Sequence, residues 1–282
     1  MNYRHAFHAG NFADVVKHAT LALLIERLKA KDTAFRVIDT HAGVGMYDLA
    51  ADEATRTGEW RAGIERVWSA TRAAELDALL APYLAAVAAA NNDDPLARYP
   101  GSPWIARHLF RKQDRLTAVE LHPEDAAALE ALFAGDVQVR TIALDGWLAL
   151  GAFVPPKERR GLVLVDPPFE ERDDFRTMFD TFVAAHRKWP TGIYALWYPV
   201  KDLAAVDRLR VDLAKSGIRR LLRAELTVRD RASPGTFNGT GLIICNPPWQ
   251  FAKTLGALLR GLTPILAQEP GADWQVDQIA GE

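Results

Sequence analysis

The chain has 282 residues, 49% of them hydrophobic, with 34 basic and 36 acidic side chains and a net charge of −2. That is apolar material for a full core in one domain, 1–282, and too balanced a charge for an indiscriminate polyanion binder. The lone Cys245 excludes a disulfide framework and a cysteine-based zinc site, and no apolar run approaches the ~20 residues of a membrane span; a reducing cytoplasm is expected, with no membrane and no metal.

The first element is a helix over 12–30, where Phe12, Val15, Val16, Ala19, Leu23 and Leu24 recur at helical spacing behind the cap pair Asn11 and Asp14. "FRVID" (35–39) then reads as a strand running into the glycine turn "THAGVG". Helical sequence far longer than one crossover follows, so 48–112 is expected to be an inserted helical subdomain, its Ala-rich helix broken near Pro82. Further strands are predicted at 116–120, 137–142, 161–165, 192–198, 221–228 and 241–245. Helices at 123–132, 173–189 and 200–216 separate most of them. Alternation of this kind indicates an α/β fold with a mostly parallel, seven-stranded sheet covered on both faces. Between 228 and 241 lies "RDRASPGTFNGT", too short and turn-rich for a parallel crossover, so the last strand is expected to run antiparallel.

Chemistry-bearing residues fall at the ends of these strands. Gly43 and Gly45 let backbone approach a ligand, a weak signal alone. Asp39 ahead of them reads as a turn cap. Glu120 ends the second strand, where a doubly wound fold holds a ribose diol, although the insertion spoils the spacing of a standard NAD site. Asp145-Gly146 ends the third; by itself it is equally well a turn.

The strongest signal is Asp166-Pro167-Pro168-Phe169. An aromatic amine is a poor nucleophile because its lone pair is delocalised into the ring. Donation to the Asp166 carboxylate and the Pro167 carbonyl would push it towards tetrahedral geometry. The prolines leave no N–H to compete, Phe169 can stack on the base, and the carboxylate can accept the released proton. A near copy, Asn246-Pro247-Pro248-Trp249, follows the antiparallel strand. Ligands of such sheets bind beyond the carboxyl ends of the parallel strands. Asp166 should therefore emerge on the active edge, and Asn246 on the opposite one. Trp197, Tyr198 and the "SPGTFNG" loop belong to the active edge by the same logic. Basic runs at 107–115 and 219–231 are candidate nucleic-acid surfaces, or simply solvated charge.

Together "YRHAFHAGNFADVVKH", "DTHAGVGMYDL", "YPGSPWIAR", "ELHP", "LDGW", "DPPFE", "TGIYALWYPV" and "NPPW" resemble the large-subunit rRNA methyltransferase J family, nearly end to end. The resemblance implies a Rossmann-like class I methyltransferase that uses S-adenosylmethionine and methylates N6 of an adenine in 23S rRNA, adenine 2030 in that family's usage. It implies cofactor contacts at His18, His41, Ser102, Glu120, Asp145, Gly146 and Asp166, with Lys17 a further contact, towards the methionine carboxylate. Tyr3 falls where the family touches RNA, and Pro167 and Phe169 belong to the substrate pocket. Phe169 offers a stacking ring without a phenol hydroxyl. A monomer is expected. The tetrapeptide alone leaves open an adenine-N6 methyltransferase of DNA, since both extrude the base; a non-catalytic nucleotide-binding module is the other alternative.

Overall fold

The computed structural model describes residues 4–92, 95–233 and 236–281. The chain begins with α1 (Phe12–Lys29) and β1 (Arg36–Asp39), and then β2 (Met46–Asp48), α2 (Asp52–Thr57), α3 (Ile64–Ser69), α4 (Ala74–Ala90), β3 (Arg98–Pro100) and α5 (Ser102–Leu109). Strand–helix alternation follows: β4 (Arg115–Glu120), α6 (Pro123–Leu132), β5 (Val139–Ala143), α7 (Gly146–Ala152), β6 (Gly161–Val165), α8 (Asp174–Lys188), β7 (Ile193–Val200) and α9 (Leu203–Lys215). The chain closes with β8 (Leu221–Thr227), β9 (Gly239–Cys245), α10 (Phe251–Leu266) and β10 (Asp273–Ala280).

Eight strands form one sheet in the order β10-β8-β9-β7-β6-β1-β4-β5, parallel from β5 through β7. β9 runs antiparallel between β7 and β8, as the short link from β8 demands. The Rossmann-like α/β architecture stands, but the expected count of seven strands was one short. β10 pairs antiparallel with β8, and its Trp274 and Val276 are only half-buried at the sheet edge. A weakly apolar edge strand at the end of a chain carries little periodic signal. β2 and β3 form a separate two-stranded ribbon at the base of the helices from α2 to α4.

Alternating side chains supply two cores, because the central strands, such as β6 and β9, are buried on both faces. On β6, Leu162 and Leu164 face the layer of α1, α4, α5 and α10, whereas Val163 and Val165 face α8 and α9. The helices answer with apolar stripes: Met178, Phe182 and Ala185 on α8, Leu255, Leu258, Leu259 and Leu262 on α10. α4 runs unbroken through Pro82, against expectation. The carbonyl freed by the missing N–H belongs to Ala78, an exposed residue, where water can satisfy it.

Candidate active site

A cleft of about 600 Å³ opens at the carboxyl ends of β1, β4, β6 and β7, roofed by the start of α1. The cap of α1 aims its polar residues into it. The Asn11 side-chain oxygen Oδ1 accepts from the N–H groups of Ala13 (2.9 Å) and Asp14 (3.0 Å), and the Asp14 carboxylate accepts from the N–H of Gly10 at 2.8 Å. This reciprocal box fixes the first turn. Asp14, Lys17 and His18 then share one helix face at i, i+3 and i+4.

Lys17 is 3% exposed, its Nζ 2.8 Å from Asp14 and bonded also to Asp166, with the Trp197 ring 5.5 Å away. Burial works against the ammonium, yet the two carboxylates more than offset it and hold Lys17 above its usual range. Asp14, despite complete burial, lies well below the usual carboxylate range because His5 and Lys17 face it. His18 Nδ1 meets the Tyr99 hydroxyl at 2.7 Å, and burial pushes its pKa down to about 3, so the ring is neutral at physiological pH. The structure thus joins Lys17 to Asp166, a partner that helix periodicity could not suggest.

On the other side of the cleft, Gly43 and Gly45 adopt φ of +60° and +79°, the left-handed region that suits glycine. The Gly43 N–H donates to Glu120 at 2.8 Å, and the His122 N–H donates to the same carboxylate at 2.8 Å. Asp145 caps α7 by accepting from the Trp147 N–H at 2.7 Å. A Cβ on Gly146 would stand 2.2 Å from the Thr40 carbonyl and 2.6 Å from His41, so only glycine fits there. His41 is lined up by the Thr40 hydroxyl at 2.8 Å, and burial lowers its pKa to about 3. Asp39 is no turn cap. It is 1% exposed and no donor comes within hydrogen-bonding distance of either carboxylate oxygen; burial raises its pKa to about 7, against the opposing pull of the nearby Ser102 hydroxyl and His41 N–H.

Phe169 ends the tetrapeptide in a left-handed conformation, φ 51°, which for a bulky residue costs about 1–3 kcal/mol. Its ring lies 4.6 Å from Phe175 and 5.7 Å from Trp197. In the second motif the left-handed residue is instead Asn246, which tolerates it well. The Asn246 side chain donates to the carbonyls of Pro190 and Gly192, both at 2.8 Å, at the amino end of β7. The two motifs occupy opposite edges of the sheet.

Comparisons with known proteins identify the family. A family model described as ribosomal RNA large subunit methyltransferase D, RlmJ, matches residues 32–280. The chain is similar to the ribosomal RNA large subunit methyltransferase J of Escherichia coli, 42% identical over 92% of this chain and 91% of that protein. It is 39% identical to the protein of the same name from Haemophilus influenzae, over 100% of both. The chain belongs to the large-subunit rRNA methyltransferase J family. The crystal structure of Legionella pneumophila protein LPL1258 superposes with a TM-score of 0.86 at 33% identity, covering 96% of this chain and 98% of that one. A probable spermidine synthase from Corynebacterium glutamicum, 13% identical with a TM-score of 0.50 over 93% of this chain and 74% of that one, shares the fold alone.

In this methyltransferase, one cleft brings together every described residue expected to hold cofactor or substrate: Lys17, His18, His41, Ser102, Glu120, Asp145, Gly146, Asp166, Pro167 and Phe169. Tyr3 lies outside the described residues. Three participants were missed or misread. Asp14 looked like a cap only, though its i, i+3 relation to Lys17 was legible. Asp39 needed the knowledge that nothing binds it. Phe237 was hidden in a loop named only as a segment. The basic runs are largely consumed inside the chain: Arg107 pairs with Asp136, Arg111 with Asp114, Arg223 with Asp277 and Arg231 with Glu225. Among the described residues, no helix is long and apolar enough to cross a membrane.

Proposed function

We propose that the cleft binds S-adenosylmethionine and methylates N6 of an adenine extruded from 23S rRNA, adenine 2030 being the expected target, in the cytoplasm. The observation that carries this reading is the meeting of Asp166, at the carboxyl end of β6, with the Glu120 end of the same cleft and the rings of Phe169 and Trp197. The donor set fits the cofactor. Glu120 retains lone pairs for the ribose hydroxyls, and Asp145-Gly146 flanks the place for the adenine. Asp39, buried beside the lining residues Ser102 and His41, offers a counter-charge for an amino-acid ammonium. When bound, the cofactor supplies an electrophilic methyl group on sulfonium.

The remaining work falls to the chain. Lys17 bonds one oxygen of Asp166, which fixes the carboxylate plane and leaves the other oxygen to accept from the target amine. The Pro167 carbonyl, with no neighbouring N–H from Pro168 to compete, accepts the second amine hydrogen. Both bonds draw the nitrogen lone pair out of conjugation. The nitrogen that has taken up the methyl group is a cation still holding two hydrogens and is strongly acidic, so Asp166 takes one proton even while paired with an ammonium and leaves a neutral methylated amine. Phe169 and Trp197 hold the base by stacking and exclude water.

Incubation with labelled S-adenosylmethionine and a 23S rRNA fragment, with DNA of matching sequence as competitor, tests the proposal. Label in N6-methyladenine of the RNA, undiminished by the DNA, is expected. Preferential labelling of the DNA would replace the RNA substrate, and cofactor binding without transfer to either would leave a nucleotide-binding module.

A further inference from the structure

Glu225 has no place in the chemistry above, yet it is a carboxylate only 1% exposed in the middle of β8. Donors from four segments surround it. The Tyr198 hydroxyl of β7 donates at 2.6 Å, Gln275 of β10 donates at 2.5 Å, Arg223 stands 3.6 Å away, and Arg231 of the loop between β8 and β9 pairs with it directly. Burial pushes the carboxyl up, but Arg231, Tyr198 and Arg223 overcome this and hold it below its usual range.

Tyr198 reaches Glu225 across an intervening strand. Both residues register on Gly241 of β9, and a Cβ at Gly241 would stand 2.2 Å from the Tyr198 ring. Glycine there opens the passage. A buried ion pair is a poor device for stability alone, because well-packed apolar side chains serve as well; its distinctive contribution is a fixed geometry.

The geometry it fixes lies between two walls of the cleft. On one side Tyr198 packs at 6.5 Å against Phe175, which packs at 4.6 Å against Phe169. On the other, Arg231 anchors the loop that carries Phe237. Asn238 tightens that loop by donating to the carbonyls of Arg231 (3.1 Å) and Ser233 (2.6 Å), and its own N–H bonds the Val200 carbonyl at 3.0 Å. Phe237 lines the cleft 6.5 Å from Trp197 and 4.8 Å from Phe12.

We propose that Glu225, with Tyr198 and Arg231, is a positioning cluster that sets the separation of Phe169 and Phe237 and thereby shapes the pocket for the extruded base. This rests on the reading of the cleft as a base-flipping methyltransferase site. None of the three touches the reacting atoms; they act through the two rings.

The test uses Glu225→Gln and Arg231→Ala; because removing one partner of a buried pair costs stability, both are assayed well below their own melting temperatures, with the folded state checked first. Each is compared with wild type on an rRNA fragment carrying 2-aminopurine at the target position, whose fluorescence rises on unstacking, and on a fragment abasic there. Melting temperature should fall while both variants stay folded at the assay temperature, cofactor affinity should stay close to wild type, and affinity for the abasic fragment should be unchanged. The fluorescence rise should shrink and kcat/KM for the adenine fragment should fall about tenfold or more, the worth of a misplaced stacking contact. Wild-type fluorescence and kcat/KM in either folded variant would overturn the proposal, as would equal weakening on the abasic fragment. If wild type itself neither methylates RNA nor unstacks the probe, the functional reading fails first and the cluster with it.

Discussion

Asp166 and Asn246 stand at the head of nearly identical tetrapeptides, and their neighbours decide their fates. Asp166 faces Lys17 and the cleft, whereas Asn246 ties the turn before β7. Asp166→Ala should lower single-turnover methylation of an rRNA fragment by 10²–10⁴-fold, about what a lost proton acceptor costs, with cofactor binding retained. Asn246→Ala should lose ~1 kcal/mol of stability and keep its rate within severalfold; rapid-quench assays and thermal melts on both variants check this. Asp39 makes a second case. Its carboxyl rises from 3.8 to about 7 on folding, so the folded chain holds that proton more tightly. The Asp39 contribution to stability is therefore most favourable below the unfolded pKa and declines as pH rises through about 7, a penalty on the order of 4 kcal/mol from this group. Asp39→Asn should raise the melting temperature at pH 8, with the gain vanishing towards pH 4, and should weaken cofactor binding. Loss of both effects in melts and titration calorimetry would remove Asp39 from the site. Strand ends and motif chemistry made Asp166 and Glu120 legible in the sequence. Asp39 was not, because an unpaired carboxylate and a turn cap have the same one-letter code.

At the level of elements, α1 and the segment before it form the roof of the cleft. His8 Nδ1 meets Glu59 at 3.0 Å, and Asn11 donates to the same carboxylate at 3.0 Å, tying residues 4–11 to the start of the helical region. Glu59 raises the His8 pKa above 6.5, with burial opposing. The contribution of this tie is full below the unfolded value and lost as pH rises through the folded one. Amide exchange of residues 5–10, corrected for intrinsic rate, should therefore quicken from about pH 6 to 8.5, and Glu59→Gln should flatten that dependence; a flat wild-type profile would rule the tie out. α6 was legible to the residue, because Pro123 starts it and a run of strong helix formers, Ala, Leu and Glu, follows. β10 and the β2–β3 ribbon were not: three- and eight-residue edge strands with half their side chains in water leave a pattern that chance also produces.

The whole molecule has no seam between its helical region and its sheet. Ile64, Val67, Leu80, Tyr83 and Val87 share a cluster with Val15, Leu24 and Leu162. We therefore expect a single unfolding transition by calorimetry, with calorimetric and van't Hoff enthalpies equal; two resolved transitions would make 48–112 a separate folding unit. The sheet direction that separates the two motifs came from a loop too short for a crossover, which is a topological constraint and so readable in advance. The long-range ion pairs were not readable, since charge partners across a fold leave no spacing. One of those pairs has a consequence in time. Lys17 and Asp166 are 149 positions apart, and α1, though made first, packs against β9 and α10, which are made last. A growing chain on a ribosome, at roughly 5–20 residues per second, holds its lysine many seconds before its carboxylate exists. The pair can form only after residue 166 has been made, so no shorter nascent chain can assemble this centre.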